Sequence, residues 1–498
     1  MRTLLALFLF ASLLHAAEPE PDFPLTEDSK PQPNIPKGEL IKDVYIAAPG
    51  SVFPGTEREY TLYLPAGTDR TKPLHFTIFQ DGVIYQGPVV FDNLIADKSI
   101  PPMLGLFVKP GVVPAANENA LPRFNRSYEY DSVSANYSKF LLEELIPALE
   151  ARHQIQFSKD PNEGGIVGSS SGGIAAYVAA WHRPDRIRRV FTGVGTYVGL
   201  RGGDQLSTLV RKTEPKPVKI FLQDGSNDLN IYAGDWWMAN QTMERALIWA
   251  GYEVYHAWGE GGHNGKHATQ VMPEALRWLW KDWQTSKEIQ ANKDGKSQWK
   301  GYEIFQPSSQ WNAVSDLKAS ALIVDVNGKV TAASHPNNRT VLHGGKALGD
   351  LPKSEFETSA TTLSPDQTQL FVTRPHDAYI HSFQITADGS FANQQPYFYL
   401  HSLDNGTTGG IYEAAGLCVD TDGRLYVATA LGIQVFDQAG RVNFIISTPS
   451  LPTDVCFGGK DLSELFIACG DKIYKRPTKV RGIVSGQMPP IKPAAPKL

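Results

Sequence analysis

The stretch that decides the fold of this chain is residues 164–173, Gly-Gly-Ile-Val-Gly-Ser-Ser-Ser-Gly-Gly. It contains the pattern Gly-x-Ser-x-Gly centred on Ser170. A short apolar run leads into it, and residues 174–181, which hold four alanines, follow it as a helical segment. A tight strand-to-helix turn needs glycines beside the serine and small residues where the helix approaches the sheet. A Ser/Gly-rich loop would not explain both flanks, so we predict that Ser170 is a nucleophile held at such a turn.

The chain on either side of this turn alternates between strands and helices from Gly38 to about residue 285. Residues 132–155 carry an apolar stripe at helical spacing, with a kink expected at Pro147, and a last helix is expected over residues 273–283. Such alternation is typical of a doubly wound, mostly parallel α/β sheet. The expected strands are 57–64, 75–79, 104–108, 165–167, 189–192, 219–223 and 253–257.

Candidate partners for the serine follow two later strands. A nucleophile at this kind of turn is followed along the chain by an acid and then by a histidine. Asp228 lies in the loop after the strand 219–223, and the glycine-flanked His263 follows the strand 253–257. We predict His263 as the general base and Asp228 as its orienting acid, with Asp224 and His267 as the alternatives.

Three aromatic residues follow the acid loop, namely Tyr232, Trp236 and Trp237. Aromatic faces beside a catalytic loop suit an aryl or sugar ring. Equally, the tryptophans could pack the next helix, residues 239–250, onto the core. Both interpretations remain open at the level of sequence.

Beyond residue 300 the helical periodicity ends and a repeated phrase takes its place. Each copy is a strand, an Asp/Asn-Gly-type turn and a second strand, at a spacing of roughly 35 to 50 residues that is typical of propeller blades. We predict an all-β, propeller-like domain of about four recognisable repeats over residues 301–485. The copies are residues 322–330, 363–372, 417–427 and, more loosely, 455–467.

The remaining segments are polar or belong to a leader. Residues 1–17 have one positive charge, a short apolar run and small residues, which predicts a cleaved signal peptide and export, an uncleaved anchor being the alternative. Residues 18–37 are rich in Pro and charge and are expected to be a disordered or extended lead-in, and the Pro- and Lys-rich residues 486–498 are expected to be a disordered tail. Residues 286–300 are a polar linker.

The amino-acid composition excludes some classes of binding partner. The chain has 498 residues with 47 Lys+Arg against 52 Asp+Glu, a net charge of −5, and no long basic block. Nucleic acid is therefore not an expected partner. No stretch after the leader is long and apolar enough to predict stable membrane insertion. The three cysteines are too few for a disulfide framework, and no CxxC or HExxH pattern suggests zinc.

Residues 38–285 resemble the enterochelin-esterase-like branch of the α/β-hydrolases, which is related to feruloyl and acetylxylan esterases. The likeness covers nearly the whole domain. It implies a triad of Ser170, Asp228 and His263, with an oxyanion hole made by the backbone N–H of Ser171 and a second donor at Gly82 or Val83. The motifs that carry it are 79–82 (FQDG), 126–130 (RSYEY), 168–173 (GSSSGG), 224–228 (DGSND) and 261–263 (GGH).

Residues 416–440 and 452–478 are similar to the gluconolactonase and regucalcin-type propellers. Those propellers hold a divalent cation with one Glu, two Asn and one Asp, but here Ala415 stands at the Asp position and Ser359 at one Asn position. Hard cations need several oxygen ligands, so tight metal binding is not expected. We interpret this half as a propeller remnant without lactonase activity.

Taken together, these residues predict an exported serine carboxyl-ester hydrolase that needs no metal or cofactor. The expected substrate is a small-molecule or polysaccharide ester of a carbohydrate, hydroxycinnamate or siderophore type. The alternatives are a metal-dependent lactonase in the C-terminal half and a non-catalytic polysaccharide-binding protein.

Overall fold

A computed structural model describes residues 21–285, 288–315, 321–333, 342–343, 346–347, 360–403, 414–470 and 472–495. The predicted signal peptide, residues 1–17, lies outside these residues, as does Ser359. Within the part of the chain that is described, no helix is long and apolar enough to cross a membrane.

The N-terminal half is built on one sheet of eleven strands. Its central strands are largely buried, as expected for strands covered on both faces, although the strand Lys219–Gly225 carries polar residues as well as apolar ones. The strands are β1 (Glu39–Ile46), β2 (Glu57–Leu64), β3 (Pro73–Gln80), β4 (Met103–Val108), β5 (Val112–Val113), β6 (Arg123–Phe124), β7 (Gln156–Phe157), β8 (Gly164–Ser169), β9 (Arg189–Gly193), β10 (Lys219–Gly225) and, after a small hairpin of β11 (Asn230–Ile231) with β12 (Gly234–Asp235), β13 (Glu253–Gly259).

The strand order is β13-β10-β9-β8-β3-β4-β2-β5-β6, with β1 beside β2 and β7 beside β3. Six consecutive strands, from β13 to β4, are parallel. The sheet becomes antiparallel at β2 and β1. It is therefore a mixed sheet with a parallel centre, and the carboxyl ends of β3, β8, β10 and β13 share one edge.

Helices cover both faces of this sheet. One apolar cluster collects residues such as Phe140, Ile174 and Met243, and the other collects Val90 and Leu276 on the opposite face. The α/β class predicted from the sequence is confirmed. The helices are α1 (Gly87–Ala96), α2 (Arg126–Tyr130), α3 (Asn136–Lys139), α4 (Ile146–His153), α5 (Ser171–His182), α6 (Leu206–Lys212), α7 (Trp236–Ala250) and α8 (Lys266–Trp280).

Two predicted helices differ in detail. The helix expected over residues 132–155 is divided into α3, a π-helical segment Phe140–Leu145 and α4, and Pro147 lies in the first turn of α4. The three segments are continuous, and the Ile146 N–H donates to the Leu141 carbonyl, so Pro147, which has no N–H, lies where π-helical hydrogen bonding gives way to α-helical bonding. The helix expected over residues 273–283 is α8, which begins and ends earlier than predicted, at Lys266 and Trp280, and contains Pro273 in its interior.

The prediction that residues 18–37 are disordered is wrong for residues 21–37. Asp28 pairs with Arg277 of α8 at 2.7 Å, and the Asn93 side chain of α1 donates to the Asp28 carbonyl at 2.8 Å. Phe23 stacks on His267 with ring centroids 4.7 Å apart. A polar composition does not reveal such contacts, because the partners of these groups are distant in sequence.

The second half is rich in β-strands. Four-stranded sheets are formed by β19 to β22, by β23 to β26, and by β27 to β29 with β14. The strands are β14 (Asn312–Ser315), β15 (Ala321–Val324), β16 (Val330–Ala333), β17 (Leu342–His343), β18 (Lys346–Ala347), β19 (Ala360–Leu363), β20 (Gln369–Thr373), β21 (Tyr379–Ile385), β22 (Phe391–Tyr399), β23 (Leu417–Val419), β24 (Leu425–Thr429), β25 (Gly432–Phe436), β26 (Val442–Ile446), β27 (Pro452–Gly458), β28 (Glu464–Cys469) and β29 (Lys472–Pro477).

Each of the four repeated phrases folds as an antiparallel hairpin: β15 with β16, β19 with β20, β23 with β24, and β27 with β28. The first strand of this half, β14, pairs with the last, β29. The β-rich class is thus confirmed, while closure into a propeller and the number of blades stay predictions. The C-terminal segment is not disordered over residues 486–495, because Ile491 N–H donates to the Pro365 carbonyl at 2.9 Å and Ala494 accepts from Gln438 at 2.7 Å.

The two halves meet along α6 and the segment after it. Leu209 of α6 lies in the same apolar cluster as Phe398 and Leu417 of the β-rich half. The Glu214 N–H donates to the Ile445 carbonyl at 3.0 Å. The Glu214 carboxylate also forms a two-pronged ion pair with Arg476 of β29, at 2.9 and 3.0 Å.

Candidate active site

Ser170 occupies a strained turn between β8 and α5. Its backbone has φ 56° and ψ −121°, a conformation that non-glycine residues rarely adopt and that is found at functional sites. Gly168 must be a glycine, because a Cβ there would lie 1.9 Å from the Gly172 carbonyl oxygen. The tight turn projects the serine at the carboxyl edge of the sheet, as the sequence predicted.

His263 and Asp228 converge on this serine from two other loops at the same edge. The Ser170 Oγ lies 2.8 Å from His263 Nε2, and His263 Nδ1 lies 2.6 Å from Asp228 Oδ1. The Asp228 side chain is fully buried, and its Oδ1 also accepts the Leu229 N–H at 2.6 Å. The structure therefore places the three residues in one hydrogen-bonded row, in the order predicted.

Thr196 is a neighbour of this row that the sequence did not reveal. Its Oγ1 lies 3.3 Å from Ser170 Oγ and accepts a hydrogen bond from Trp236 Nε1, also at 3.3 Å. The Trp236 ring stands edge-on to His263, with centroids 5.6 Å apart. A threonine in the loop after β9 has no distinctive motif, so only the fold identifies it.

An ion pair holds the loop after β3 beside the turn. Asp81 accepts two hydrogen bonds from Arg126 of α2, at 2.7 and 2.9 Å. A Cβ on Gly172 would meet the Asp81 carboxylate at 2.9 Å, so this loop lies against the first turn of α5. The two motifs 79–82 and 126–130, far apart in sequence, are thus joined at the site.

The two candidates for the second oxyanion donor differ in availability. The Gly82 N–H donates to the Val108 carbonyl at 3.1 Å, so it is already engaged and that prediction is corrected. Val83 lies in the same loop with half of its surface exposed. Ser171 begins α5, where a helix leaves its first N–H groups without intrahelical partners.

The alternative acid and base lie elsewhere. His267 is in the first turn of α8, where its Nδ1 lies 3.0 Å from the Gln223 side-chain nitrogen and its ring stacks on Phe23. Burial lowers the pKa of this imidazole. Asp224 is fully buried at the end of β10, and its Oδ1 accepts the adjacent Gly225 N–H at 2.7 Å.

The three aromatic residues divide between surface and core. Tyr232, in the turn between β11 and β12, is 92% exposed and free to meet a ligand. Trp236 is buried behind His263, and Trp237 packs edge-on against Trp258 at 5.4 Å. Of the two roles that the sequence left open, the packing role fits the buried Trp236, while the partly exposed Trp237 stays a candidate for either role.

The β-rich half has Ala415 at the position where a charged ligand would be needed. Its N–H, two residues before β23, donates to the Ala428 carbonyl of β24 at 3.0 Å. Among the described residues no group of three His, Cys, Asp or Glu is arranged to hold a metal ion. The cysteines Cys418, Cys456 and Cys469 are buried, and none of the three forms a disulfide bond.

Comparison with known families gives the class of each half. Residues 51–279 match the family described as putative esterase, and residues 354–470 match the SMP-30/Gluconolactonase/LRE-like region. The chain therefore joins an esterase-type domain to a gluconolactonase-like region, as the resemblances in its sequence predicted.

Individual relatives agree with this division. Iron(III) enterobactin esterase of Dickeya dadantii is 32% identical over 152 residues, which cover 28% of this chain and 33% of that protein. Regucalcin of Oryctolagus cuniculus is 32% identical over 90 residues, or 15% of this chain and 30% of that protein. The chain thus matches about a third of the length of either relative.

Solved structures similar to the chain include an enterobactin esterase from Shigella flexneri, with 19% identity and a TM-score of 0.39 over 52% of this chain and 62% of the other. A ferulic acid esterase from Anaeromyces mucronatus has 16% identity and a TM-score of 0.40 over 51% of this chain and 94% of the other.

Proposed function

We propose that the protein is a serine carboxyl-ester hydrolase. The observation that carries the proposal is the hydrogen-bonded row from Ser170 through His263 to the buried Asp228, seated on a strained turn at the carboxyl edge of the sheet. This is the arrangement of a nucleophile, a general base and an orienting carboxylate.

In the first half of the reaction, Ser170 Oγ attacks the ester carbonyl carbon while His263 Nε2 takes its proton. The carbonyl oxygen becomes an oxyanion that accepts hydrogen bonds from the N–H groups of Ser171 and Val83. Because α5 begins at Ser171, its positive end faces this developing charge. The intermediate collapses, the alcohol leaves with the proton from His263, and the acyl group stays on Ser170.

In the second half, His263 removes a proton from water, which attacks the acyl-enzyme. A second oxyanion forms and collapses, Ser170 recovers its proton from the imidazole, and the acid is released. Asp228 remains ionised throughout and stabilises the imidazolium formed in each half. Every proton is carried by groups of the chain, and the reaction consumes only ester and water.

The substrate we propose is an ester of a carbohydrate, hydroxycinnamate or siderophore type. The support is the match of residues 51–279 to the esterase family and the likeness to an enterobactin esterase. Exposed Tyr232 offers an aromatic face at the rim formed by the loops after β10. We further propose that the protein is exported, on the pattern of residues 1–17.

Kinetics with a panel of aryl, acetyl and catecholate esters tests this function. Ser170→Ala should lower kcat by roughly four to six orders of magnitude and leave the unfolding transition in place. A fluorophosphonate should label Ser170 alone. Ser169→Ala is the matched control, one residue away, and should keep kcat within the same order of magnitude. Labelling at Ser169, or equal activity in the Ser170 variant and wild type, would refute the proposal.

A further inference from the structure

Two buried carboxyl groups lie within hydrogen-bonding reach of each other behind the histidine. Asp224 is the last residue but one of β10, Asp228 follows in the next loop, and neither side chain reaches solvent. One oxygen of each is satisfied, Asp224 Oδ1 by the Gly225 N–H and Asp228 Oδ1 by His263 and the Leu229 N–H. For the second oxygen of each, Oδ2, no described residue donates a hydrogen.

Two orphan acceptors at one place are a costly arrangement. A buried oxygen without a hydrogen-bond donor destabilises the folded state, and two adjacent buried negative charges repel each other strongly. Both costs disappear if one group is a neutral carboxylic acid, because its O–H then donates to the second oxygen of the other. One shared proton satisfies both Oδ2 atoms and leaves a single negative charge on the pair.

The environment decides which of the two keeps the proton. Asp228 already accepts hydrogen bonds from His263 Nδ1 and a backbone N–H, both of which favour an ionised carboxylate. Burial, followed by the hydrogen bond to Asp228 and repulsion from its charge, raises the pKa of Asp224 well above its ordinary value. Asp224 is therefore the acid of the pair and Asp228 the carboxylate.

We propose that Asp224 is a positioning residue that, as a neutral carboxylic acid, donates its Oδ2 hydrogen to Asp228 Oδ2 and fixes the carboxylate that orients His263. This inference rests on the proposed function. The alternative assignment, in which Asp224 itself orients the histidine, does not agree with the contact of His263 to Asp228 at 2.6 Å.

The surroundings isolate this proton. The titratable groups that face it are Asp228 and, through it, His263. On the side of α7 it meets the amide of Asn240, a hydrogen-bond partner that lowers the pKa of Asp224 by less than burial and Asp228 raise it. The Asn240 Nδ2 also donates to the Gly195 and Trp236 carbonyls at 2.9 and 3.0 Å. On the neighbouring strand β13, Trp258 is its register partner. Alkaline pH should therefore remove the donor and add a second negative charge beside Asp228.

Two variants of Asp224 distinguish the effect of its hydrogen-bond donor from the effect of the size of its side chain. Asp224→Asn keeps a hydrogen donor towards Asp228 and an acceptor for Gly225, but it cannot ionise. We expect it to retain kcat within about threefold at neutral pH and to lose the alkaline fall in kcat that wild type shows. Asp224→Ala should lower kcat by about 10- to 100-fold, the usual effect of removing a group that orients a functional side chain, with KM nearly unchanged.

An infrared measurement tests the proton without any substrate. The difference spectrum of wild type minus Asp224→Asn at neutral pH should contain the carbonyl band of a protonated carboxylic acid. The matched control is Asp420→Asn. Asp420 is also buried, but it is paired with Arg424 at 2.8 Å and with the Tyr426 hydroxyl at 2.9 Å, so its variant should show no such band.

Three results would overturn the inference: no protonated-carboxyl band assignable to Asp224, equal loss of kcat in the Asn and Ala variants, or an unchanged alkaline limb in Asp224→Asn. Because the infrared band does not depend on turnover, it stays decisive if the protein hydrolyses none of the esters. In that case the proposed function fails while the shared proton is still tested. If Asp224→Ala does not fold, Asp224→Asn supplies both the spectrum and the pH profile.

Discussion

Replacing Glu214 with alanine removes the carboxylate that holds Arg476 between the two halves of the molecule. The Arg476 side chain is 2% exposed, and its guanidinium lies 3.9 Å from the Phe305 ring centroid as well as on Glu214. Breaking a fully buried pair by removing one partner costs about 3–5 kcal/mol. Since Glu214 is itself 21% exposed, water can reach part of the gap, and we expect a loss of about 2–3 kcal/mol.

Thermal unfolding measures this loss. A change of 1 kcal/mol shifts the melting temperature by about 2–4 °C for a unit of 150–250 residues, so Glu214→Ala should melt roughly 5–10 °C lower than wild type. The matched control is Glu303→Ala, which removes an exposed ion pair with Lys300 and should shift melting by less than about 3 °C. Esterase activity at room temperature should be unchanged in both variants, because neither residue touches the Ser170 site.

A double variant completes the cycle. Glu214→Leu combined with Arg476→Met removes both charges at once, and replacing a buried ion pair by apolar side chains is often neutral. It should therefore recover most of the stability lost in Glu214→Ala. If Glu214→Ala melts no lower than Glu303→Ala, the ion pair does not couple the halves and the reasoning is refuted.

Gly168→Ala should yield either no folded protein or a kcat at least about 100-fold lower, because its Cβ would collide with a main-chain oxygen. The control is Gly50→Ala, whose Cβ meets nothing within 4 Å. Circular dichroism measures the folding of both variants, and ester kinetics measure their kcat. The raised pKa of Asp224 means that the folded state holds a proton which the unfolded state releases above about pH 4. The stability that this proton contributes is therefore complete below that pH and is lost as pH rises through the folded pKa, by up to about 1.4 kcal/mol per pH unit. The free energy of unfolding of Asp224→Asn, measured with denaturant, should lack this decline. Parallel plots of unfolding free energy against pH for the variant and wild type would contradict the prediction. Added calcium should leave the melting temperature unchanged, because Ala415 supplies no charged ligand. For comparison, a bound ligand at 100 times its Kd adds about 2.7 kcal/mol to the free energy of unfolding. A calcium-dependent rise of several degrees in scanning calorimetry would reject this interpretation of the β-rich half.

Sequence was informative where the determining interactions are local. The strands of the central sheet are short apolar runs bounded by turn residues, and their predicted bounds agree with β2, β4 and β9 to within a residue or so. The row of Ser170, Asp228 and His263 was predicted for a related reason. Each follows a strand of a parallel sheet, and the carboxyl ends of such strands meet at one edge.

Contacts between distant segments were not predictable. Nothing in the sequence shows that the Gly82 N–H is occupied by Val108, that Thr196 lies beside Ser170, or that Phe23 stacks on a helix more than 240 residues away. Trp236 and Trp237 illustrate the same limit. An aromatic side chain packs a core or faces a ligand according to its rotamer and neighbours, which only the three-dimensional structure supplies.

Helix α6 also has a consequence for how the protein is made. Leu209 of this helix is 1% exposed and lies in an apolar cluster with strands of the β-rich half. A ribosome adds about 5–20 residues per second, so roughly 10–40 s pass between the completion of the esterase domain and the emergence of the last strands that complete this cluster. Throughout that interval the Leu209 side chain stays uncovered beside an unpaired Glu214, although Leu206 and Val210 of the same helix already pack in the esterase core. The first half therefore carries one apolar side chain and one buried-pair carboxylate at its surface until the second half is complete.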